Sequence, residues 1–488
     1  MAKLLTKSRY LSGLQCPKLL WTQVNDKGLI PEPDEAQQKI FDVGTQVGVL
    51  ATKVFPKGVK VSENSFIENL NQSKELLKEN KPLFEAGFMV NNLFSRADIL
   101  EPNGDGWDII EVKSSTEVKD VNLHDVSFQK YVYELSGLKI KNCYLMYVNN
   151  EYVKKGVIEP DKLFNREDIT KEVIEISEGI EDRVKDMLEV IDLDEKPEVK
   201  INPNCKDPYE CPLKNLCWGY LPKHNVFELS RGGKKSWNLF DKDILKIEDI
   251  PNDFKLSAKQ ELQKECQVSG KPYISKFAIK EFIDTLEYPI YYFDFETINP
   301  CIPLYDGMSP YKRIPFQYSL HIQEEPFGEL KHISFLADEK KDPRNAILKS
   351  MKENLGVKGT ILAWNQSFEI GVIKELIGYY PEFEEWGLKI IDRVNDLIIP
   401  FRNFSYYSPI QKGSASIKKV LPALTDLSYA QLDINNGGDA CNAYERICTQ
   451  KVPAKEVKKI RDDLEKYCEL DTLAEVKILE ALQKIVEE

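Results

Sequence analysis

Two groups of acidic residues in this 488-residue sequence have the types and spacings of divalent-metal chemistry. The first lies in two apolar runs, Phe94-Ser95-Arg96-Ala97-Asp98-Ile99-Leu100 and Trp107-Asp108-Ile109-Ile110-Glu111-Val112-Lys113, on either side of Pro102-Asn103-Gly104-Asp105-Gly106. Pro, Asn and Gly between apolar runs predict a hairpin. Strand alternation then sets Trp107, Ile109, Glu111 and Lys113 on one face, with Phe94, Arg96, Asp98 and Leu100 as the matching set. A bare Glu-x-Lys is more often a solvated hairpin face. Here the charges share faces with large apolar side chains, where a carboxylate needs a partner or a metal. Two carboxylates suit a hard ion such as Mg²⁺. The Lys113 ammonium would orient an attacking water or stabilise charge building on a phosphate.

The second group begins at Asp294 and Glu296 in the apolar run Pro289-Ile290-Tyr291-Tyr292-Phe293-Asp294-Phe295-Glu296. Both project from one strand face with Tyr292, and two buried carboxylates are costly without a cation. Glu369 lies where the β-prone run ending near Trp364 gives way to a helix. Tyr467 and Asp471 are one turn apart on a predicted helix over 454–488. Asp392 and Asp396 are further acids between these motifs.

Smaller signals accompany them. Gln129 and Tyr133 share a helix face, which alone is ordinary packing. Cys205, Cys211 and Cys217 are spaced too widely for the Cys-x₂₋₄-Cys pairs of common structural zinc sites. With Cys16 they make four thiolates, the usual complement of a 4Fe–4S cluster; unconnected thiols or a zinc knot are the alternatives. Lys412, Lys418 and Lys419 sit among hydroxyl residues suited to phosphate contacts. Arg231, Lys234, Lys235 and Trp237 offer charge with stacking.

The elements that must position these residues read as an α/β protein in three regions. Residues 1–221 combine helices with a strand pair and end in the cysteine-rich loop. Residues 222–286 read as a helical, basic connector. Residues 287–488 start with strands, with further β-prone runs at 316–322, 332–336 and 360–364, and finish in helices. A chain of this length needs more than one core.

In order along the chain, Asp98, Glu111-x-Lys113 and Gln129-x₃-Tyr133 resemble the RecB-like branch of the PD-(D/E)xK nucleases. The context Leu14-Gln15-Cys16-Pro17-Lys18-Leu19-Leu20-Trp21, with one cysteine before the core and three after, resembles that family's iron–sulfur subgroup. The resemblance implies a restriction-endonuclease-like α/β core with Asp98 and Glu111 as metal ligands and Lys113 as a catalytic residue. Gln129 and Tyr133 would support the site or the DNA, Glu85 would stand as an upstream ligand, and the cluster would fasten the domain's two ends. Asp294-x-Glu296, Glu369 and Tyr467-x₃-Asp471 resemble the DnaQ-like 3′–5′ exonucleases of the DEDD class. That likeness implies a ribonuclease H-like α/β fold and two-metal hydrolysis on Mg²⁺ or Mn²⁺. Asp294, Glu296, Glu369 and Asp471 would be ligands and Tyr467 would orient the water. Glu369 departs from that pattern, which has Asp at this position. The implied partner is DNA, as single strands or ends. RNA as substrate, or a nucleic-acid-binding scaffold with inactive sites, are the alternatives.

Composition sets limits on these readings. A net charge of −13 requires any nucleic acid to be held by local basic patches. No apolar run is long enough to span a membrane, and the first residues lack a secretory core. The expected location is therefore the cytoplasm, where ten cysteines do not imply disulfides.

Overall fold

The computed structural model describes residues 3–488 and is an α/β structure of two compact units. The first comprises residues up to Tyr220 together with Cys301–Tyr311, and the second comprises Leu221–Pro300 and Lys312–Glu488. The segment 222–286, expected as a connector, is thus part of the second unit. Among the described residues, no helix is long and apolar enough to cross a membrane.

The first unit is built on a seven-stranded sheet. Its strands are β1 (Leu5–Thr6), β2 (Val59–Lys60), β3 (Leu83–Val90), β4 (Leu93–Asn103), β5 (Gly106–Lys113), β6 (Ile140–Val148) and β7 (Phe164–Asp168). The order is β2-β3-β4-β5-β6-β7, with β1 pairing β4. β4 and β5 form the predicted antiparallel hairpin, with Leu100 opposite Ile109. One face packs on the helix Asp120–Leu135 through Val126, Phe128 and Val132. The other carries the helix Glu35–Thr52 through Val47 and Ala51, with Cys301 and Tyr311 in the same cluster.

The expected alternation along 94–100 breaks at Asp98. Leu93, Ala97 and Leu100 all belong to the cluster under the helix Asp120–Leu135, whereas Ile99 packs on the other face. The cause lies on β3. Glu85, between the pairs Phe84–Ile99 and Ala86–Ala97, has φ +60°, so Leu83 and Ala86 face the same cluster while Phe84 faces away. A left-handed residue in mid-strand reverses side-chain parity, and such a conformation in a non-glycine residue costs on the order of 1–3 kcal/mol.

The second unit holds β8 (Tyr273–Ile274), β9 (Ile290–Ile298), β10 (Ile314–Gln323), β11 (Leu330–Leu336), β12 (Thr360–Ala363), β13 (Val394–Asp396) and β14 (Tyr406–Tyr407). Its main sheet runs β11-β10-β9-β12-β13. β9, β10 and β11 are antiparallel, and β12 and β13 join parallel to β9. Tyr291, Phe293 and Phe295 pack with Tyr318 and Leu320 under the helices Arg344–Asn354 and Gln366–Tyr379. The opposite face, with Tyr292, Asp294 and Glu296, is covered by the 34-residue helix Ala454–Glu487.

Candidate active sites

In the first unit, the helix Asp120–Leu135 lays a stripe of polar side chains across β4 and β5. Glu111 is 1% exposed, which a carboxylate tolerates only with dense partnering. Its Oε1 accepts from Lys113 Nζ (2.6 Å) and Lys7 Nζ (2.8 Å), and its Oε2 from Gln129 Nε2 (2.7 Å). Asp125 accepts from Lys113 (2.8 Å) and Gln129 (3.2 Å). The β4–β5 ladder ends at Ile99–Ile110, and there the Asp98 carboxylate takes the next N–H, that of Val112, at 2.8 Å.

These carboxyls are held apart electrostatically. Burial, reinforced by the charge of Glu111, raises Asp98 and Asp125. Burial would raise Glu111 too, but Lys113 and Lys7 outweigh it and hold Glu111 below its ordinary range. Glu111 is therefore the standing anion, and Asp98 the group whose charge depends on what is bound.

The other residues singled out for this site divide. Gln129 orients Glu111. The Tyr133 hydroxyl instead accepts from Ala97 N–H (2.6 Å) and donates to the Ala86 carbonyl (2.8 Å), so it fixes β3 against β4 and does not touch the carboxylates. Glu85 pairs with Arg96 at 2.9 Å. Lys7 and Asp125 belong to the cluster although neither was expected. Asp125, one helical turn before Gln129, was legible in the sequence. Lys7, far away in sequence, had no local signal. A groove of about 700 Å³, lined by Lys113, Ser114, Lys119, His124 and Tyr209 among others, opens beside Lys113. Tyr133→Phe leaves two buried backbone groups without their partner and is expected to destabilise the protein by about 1–3 kcal/mol; denaturant melts of the purified variant measure this.

Cys16 and Cys217 pack against a small cluster of Leu19, Cys211 and Leu213. Burial pushes the Cys211 thiol up to about 11, and the charges of Cys16, Cys205 and Cys217 add to the rise. The structure thus brings together thiols from both ends of this unit. Four sulfur donors gathered from both ends of the unit fit a thiophilic metal or an iron–sulfur cluster.

In the second unit, β9 sets Asp294 and Glu296 toward the helix Ala454–Glu487, which contributes Asp471. One ligand oxygen from each of these three lies within 4.8 Å of the others. Asp471 Oδ1 accepts from the Tyr429 hydroxyl at 2.7 Å, and the Tyr467 hydroxyl also bonds to Asp471. Tyr467 is raised by burial first and then by Asp471, Glu296 and Asp294, so it stays protonated. Two further acids close the site. Glu369 opens the helix Gln366–Tyr379, and Glu475 lies one turn beyond Asp471; both are 1% exposed. Among the described residues, Glu369 Oε2 and Glu475 Oε2 have no hydrogen-bond partner. Asp396 lies near Glu369 but accepts from the Asn365 and Ile398 N–H groups. Asp392 only caps the helix Glu384–Ile391.

Among the described residues no ammonium is ion-paired to these acids, and Lys418 offsets the charge of Glu296 and Asp471 only from a distance. All five carboxyls are raised, and burial is the leading cause in every case. Neighbouring carboxylates add to it at Asp294, Glu296 and Glu475, which are pushed well up, and Asp396 adds to it at Glu369, raised to about 8. Asp471 rises to about 6 by burial alone, restrained by Tyr429, Tyr467 and Lys418. Five clustered carboxyls, four of them buried and two with an unpartnered oxygen among the described residues, fit hard divalent ions. Without them, stability depends on pH. Asp471 and Glu369 have folded values above their ordinary 3.8 and 4.5, so the folded state binds more protons than the unfolded one. Their contribution is complete below about pH 4 and is lost as pH rises through about 6 to 8. In chelator the melting temperature should fall across that window, and Mn²⁺ should restore it at the upper end. A melt at pH 8 that ignores Mn²⁺ would contradict this.

Of the lysines expected to meet nucleic acid, Lys418 alone reaches this site. Its Nζ stands 5.5 Å from the Tyr429 ring centre and 5.8 Å from that of Tyr467. Lys412 pairs with Glu228 and Lys235 bonds to Gln260, while Lys234 and Lys419 are exposed. Trp237 packs on Phe227 and Phe240, so it is not an open stacking platform. Gly437 was not foreseen: a Cβ there would stand 3.7 Å from Glu296 Oε2 and 3.9 Å from the Tyr467 hydroxyl.

Residues 291–416 match a family described as a domain of unknown function, DUF2779. That span includes Asp294, Glu296, Glu369 and Asp396 and ends before Asp471. Two relatives are distant. Uncharacterized protein UU173 of Ureaplasma parvum is 25% identical over 227 residues, covering 40% of this chain and 31% of its own. Uncharacterized protein MG366 of Mycoplasma genitalium is 25% identical over 218 residues, covering 40% and 32%. The chain therefore spans about a third of the length of these curated relatives.

Proposed function

We propose that the protein is a divalent-metal-dependent nuclease of the cytoplasm with two phosphodiester-cleaving sites acting on DNA. The observation that carries this reading is the convergence of Asp294, Glu296 and Asp471 within 4.8 Å in a buried, self-repelling group. The main sheet, three antiparallel strands followed by two parallel ones with the acids on β9, supports a ribonuclease H-like domain of the DnaQ-like kind. The irregular β4–β5 hairpin under a polar helix face supports a RecB-like core.

At the second site, Asp294, Glu296 and Asp471 hold the ions, with Glu369 and Glu475 as further oxygen donors. Divalent ions supply there the Lewis acidity and the lowered water pKa that hydrolysis needs. Tyr467, kept protonated, turns its hydroxyl from Asp471 to orient water once Asp471 is engaged by an ion, and Lys418 meets the phosphate with charge. At the first site, Asp98 and Glu111 hold the ion and Lys113 stabilises developing negative charge. Lys7, whose side chain is 22% exposed, is the ammonium that yields Glu111 Oε1 to the ion. Gln129 and Asp125 keep Glu111 and Lys113 in place.

The reading is tested by digestion of end-labelled single- and double-stranded DNA and RNA with Mg²⁺ or Mn²⁺. Cleavage of DNA that stops in chelator supports it, and no cleavage of any substrate with either ion would sink it. The four cysteines are proposed to hold a 4Fe–4S cluster that fastens the first unit. Protein purified without oxygen should be brown, absorbing at roughly 400 nm. Cys16→Ser should lose the colour and melt lower; a colourless, zinc-loaded wild type would reject the cluster.

A further inference from the structure

A second cluster of ligating side chains stands on the same sheet face as Asp294. His321 on β10 and His332 on β11 are directly paired across the strands, and Glu469 faces them from the helix Ala454–Glu487. One ligand atom from each of the three lies within 4.8 Å of the others. The imidazoles stack with centres 4.5 Å apart, and His332 Nδ1 is 3.8 Å from Glu469 Oε1.

Hydroxyls fix the orientation of both rings. Thr472 Oγ1 is 2.8 Å from His321 Nδ1, and Ser319 Oγ is 3.0 Å from His332 Nε2. The two hydroxyls bond to each other at 2.7 Å. One nitrogen of each ring is thereby engaged, which leaves His321 Nε2 and His332 Nδ1 for another partner. Metal-ligating histidines are typically held in this way, with the second nitrogen bonded to an oxygen that sets ring angle and tautomer. A plain hydrogen-bonded core would need neither two stacked imidazoles nor a carboxylate brought to their edge. Two imidazoles and one carboxylate are the three-ligand set of open zinc sites, and softer than the all-oxygen group around Asp294.

We propose that His321, His332 and Glu469 bind a divalent transition ion of the zinc class, separate from the hard-ion site. Bond lengths of about 2.0–2.2 Å require the three groups to close in further. The half-exposed His332 and the outer Glu469, 27% and 51% exposed, have the freedom to do so. Ser319 is paired with Asp294 across β9 and β10, and Thr472 follows Asp471, so both sites share their supporting elements. The proposal does not depend on the nuclease reading.

The test titrates Zn²⁺ calorimetrically into the full chain with saturating Mg²⁺, comparing wild type, His332→Gln and Cys16→Ser. Wild type should bind one more equivalent than His332→Gln, and Cys16→Ser should keep that equivalent. Equal stoichiometry and affinity in wild type and His332→Gln would overturn the proposal. If His332→Gln melts lower than wild type in chelator, Glu469→Gln carries the comparison. It should weaken the same binding event by at least about tenfold, and unchanged binding would overturn the proposal.

Discussion

Asp294→Asn is expected to lower metal-dependent trimming of a single strand from its 3′ end by about 10³-fold or more. Asp294 is central to the second site. Burial raises it most, and Asp471, Glu296, Glu369 and Glu475 all add to the rise. An amide fills the same space but brings no charge to an ion. Losing several kcal/mol of ion-mediated stabilisation corresponds to about three powers of ten in rate. The same substitution should raise the melting temperature of chelated protein at pH 8, because it removes one member of a mutually repelling set. A ligand role thus predicts opposite signs for activity and metal-free stability. A residue that merely packs would lower both.

Lys113→Ala should abolish cleavage at the first site and also destabilise the fold. Its ammonium bonds to Glu111 at 2.6 Å and Asp125 at 2.8 Å, and Glu111 is almost wholly buried. Removing one partner of a buried charge group strands the others, at a cost of about 3–5 kcal/mol. Lys7 still neutralises Glu111 Oε1, so the loss should sit at or below the lower end of that range. Lys113→Arg keeps the charge and should recover most of the stability. It should not recover the activity, because a planar guanidinium cannot reproduce a compact point charge beside the reacting phosphate. Recovery of both would reduce Lys113 to a structural ion pair.

Much of the architecture could be read from local pattern. The strands around Asp98, Glu111 and Asp294 and the long C-terminal helix are strong period-2 and period-3.6 signals. What escaped was set by tertiary context. Parity at Asp98 is reversed by the left-handed Glu85 on the neighbouring strand, which no pattern within 94–100 encodes. Lys7 reaches Glu111 across 104 positions of sequence. Glu475 is legible in principle, since Tyr467, Asp471 and Glu475 form one stripe at intervals of four, although it lies beyond the Tyr467-x₃-Asp471 motif. The lysines show the opposite effect. Lys235 and Lys412 look like free charges in sequence, whereas folding pairs them with Gln260 and Glu228. Composition could not distinguish them from Lys418, which lies over two tyrosine rings beside the acids.

The acids on β9 and the C-terminal helix are proposed to drive hydrolysis, and the Lys113→Ala protein isolates them. Incubated in Mg²⁺ with a 5′-labelled single DNA strand, this variant should give a ladder shortening from the 3′ end. The ladder should disappear when Asp294→Asn is added or when the ion is chelated. A double variant that still produces the ladder in Mg²⁺, or a Lys113→Ala protein that produces none while the fold is intact, would contradict the account.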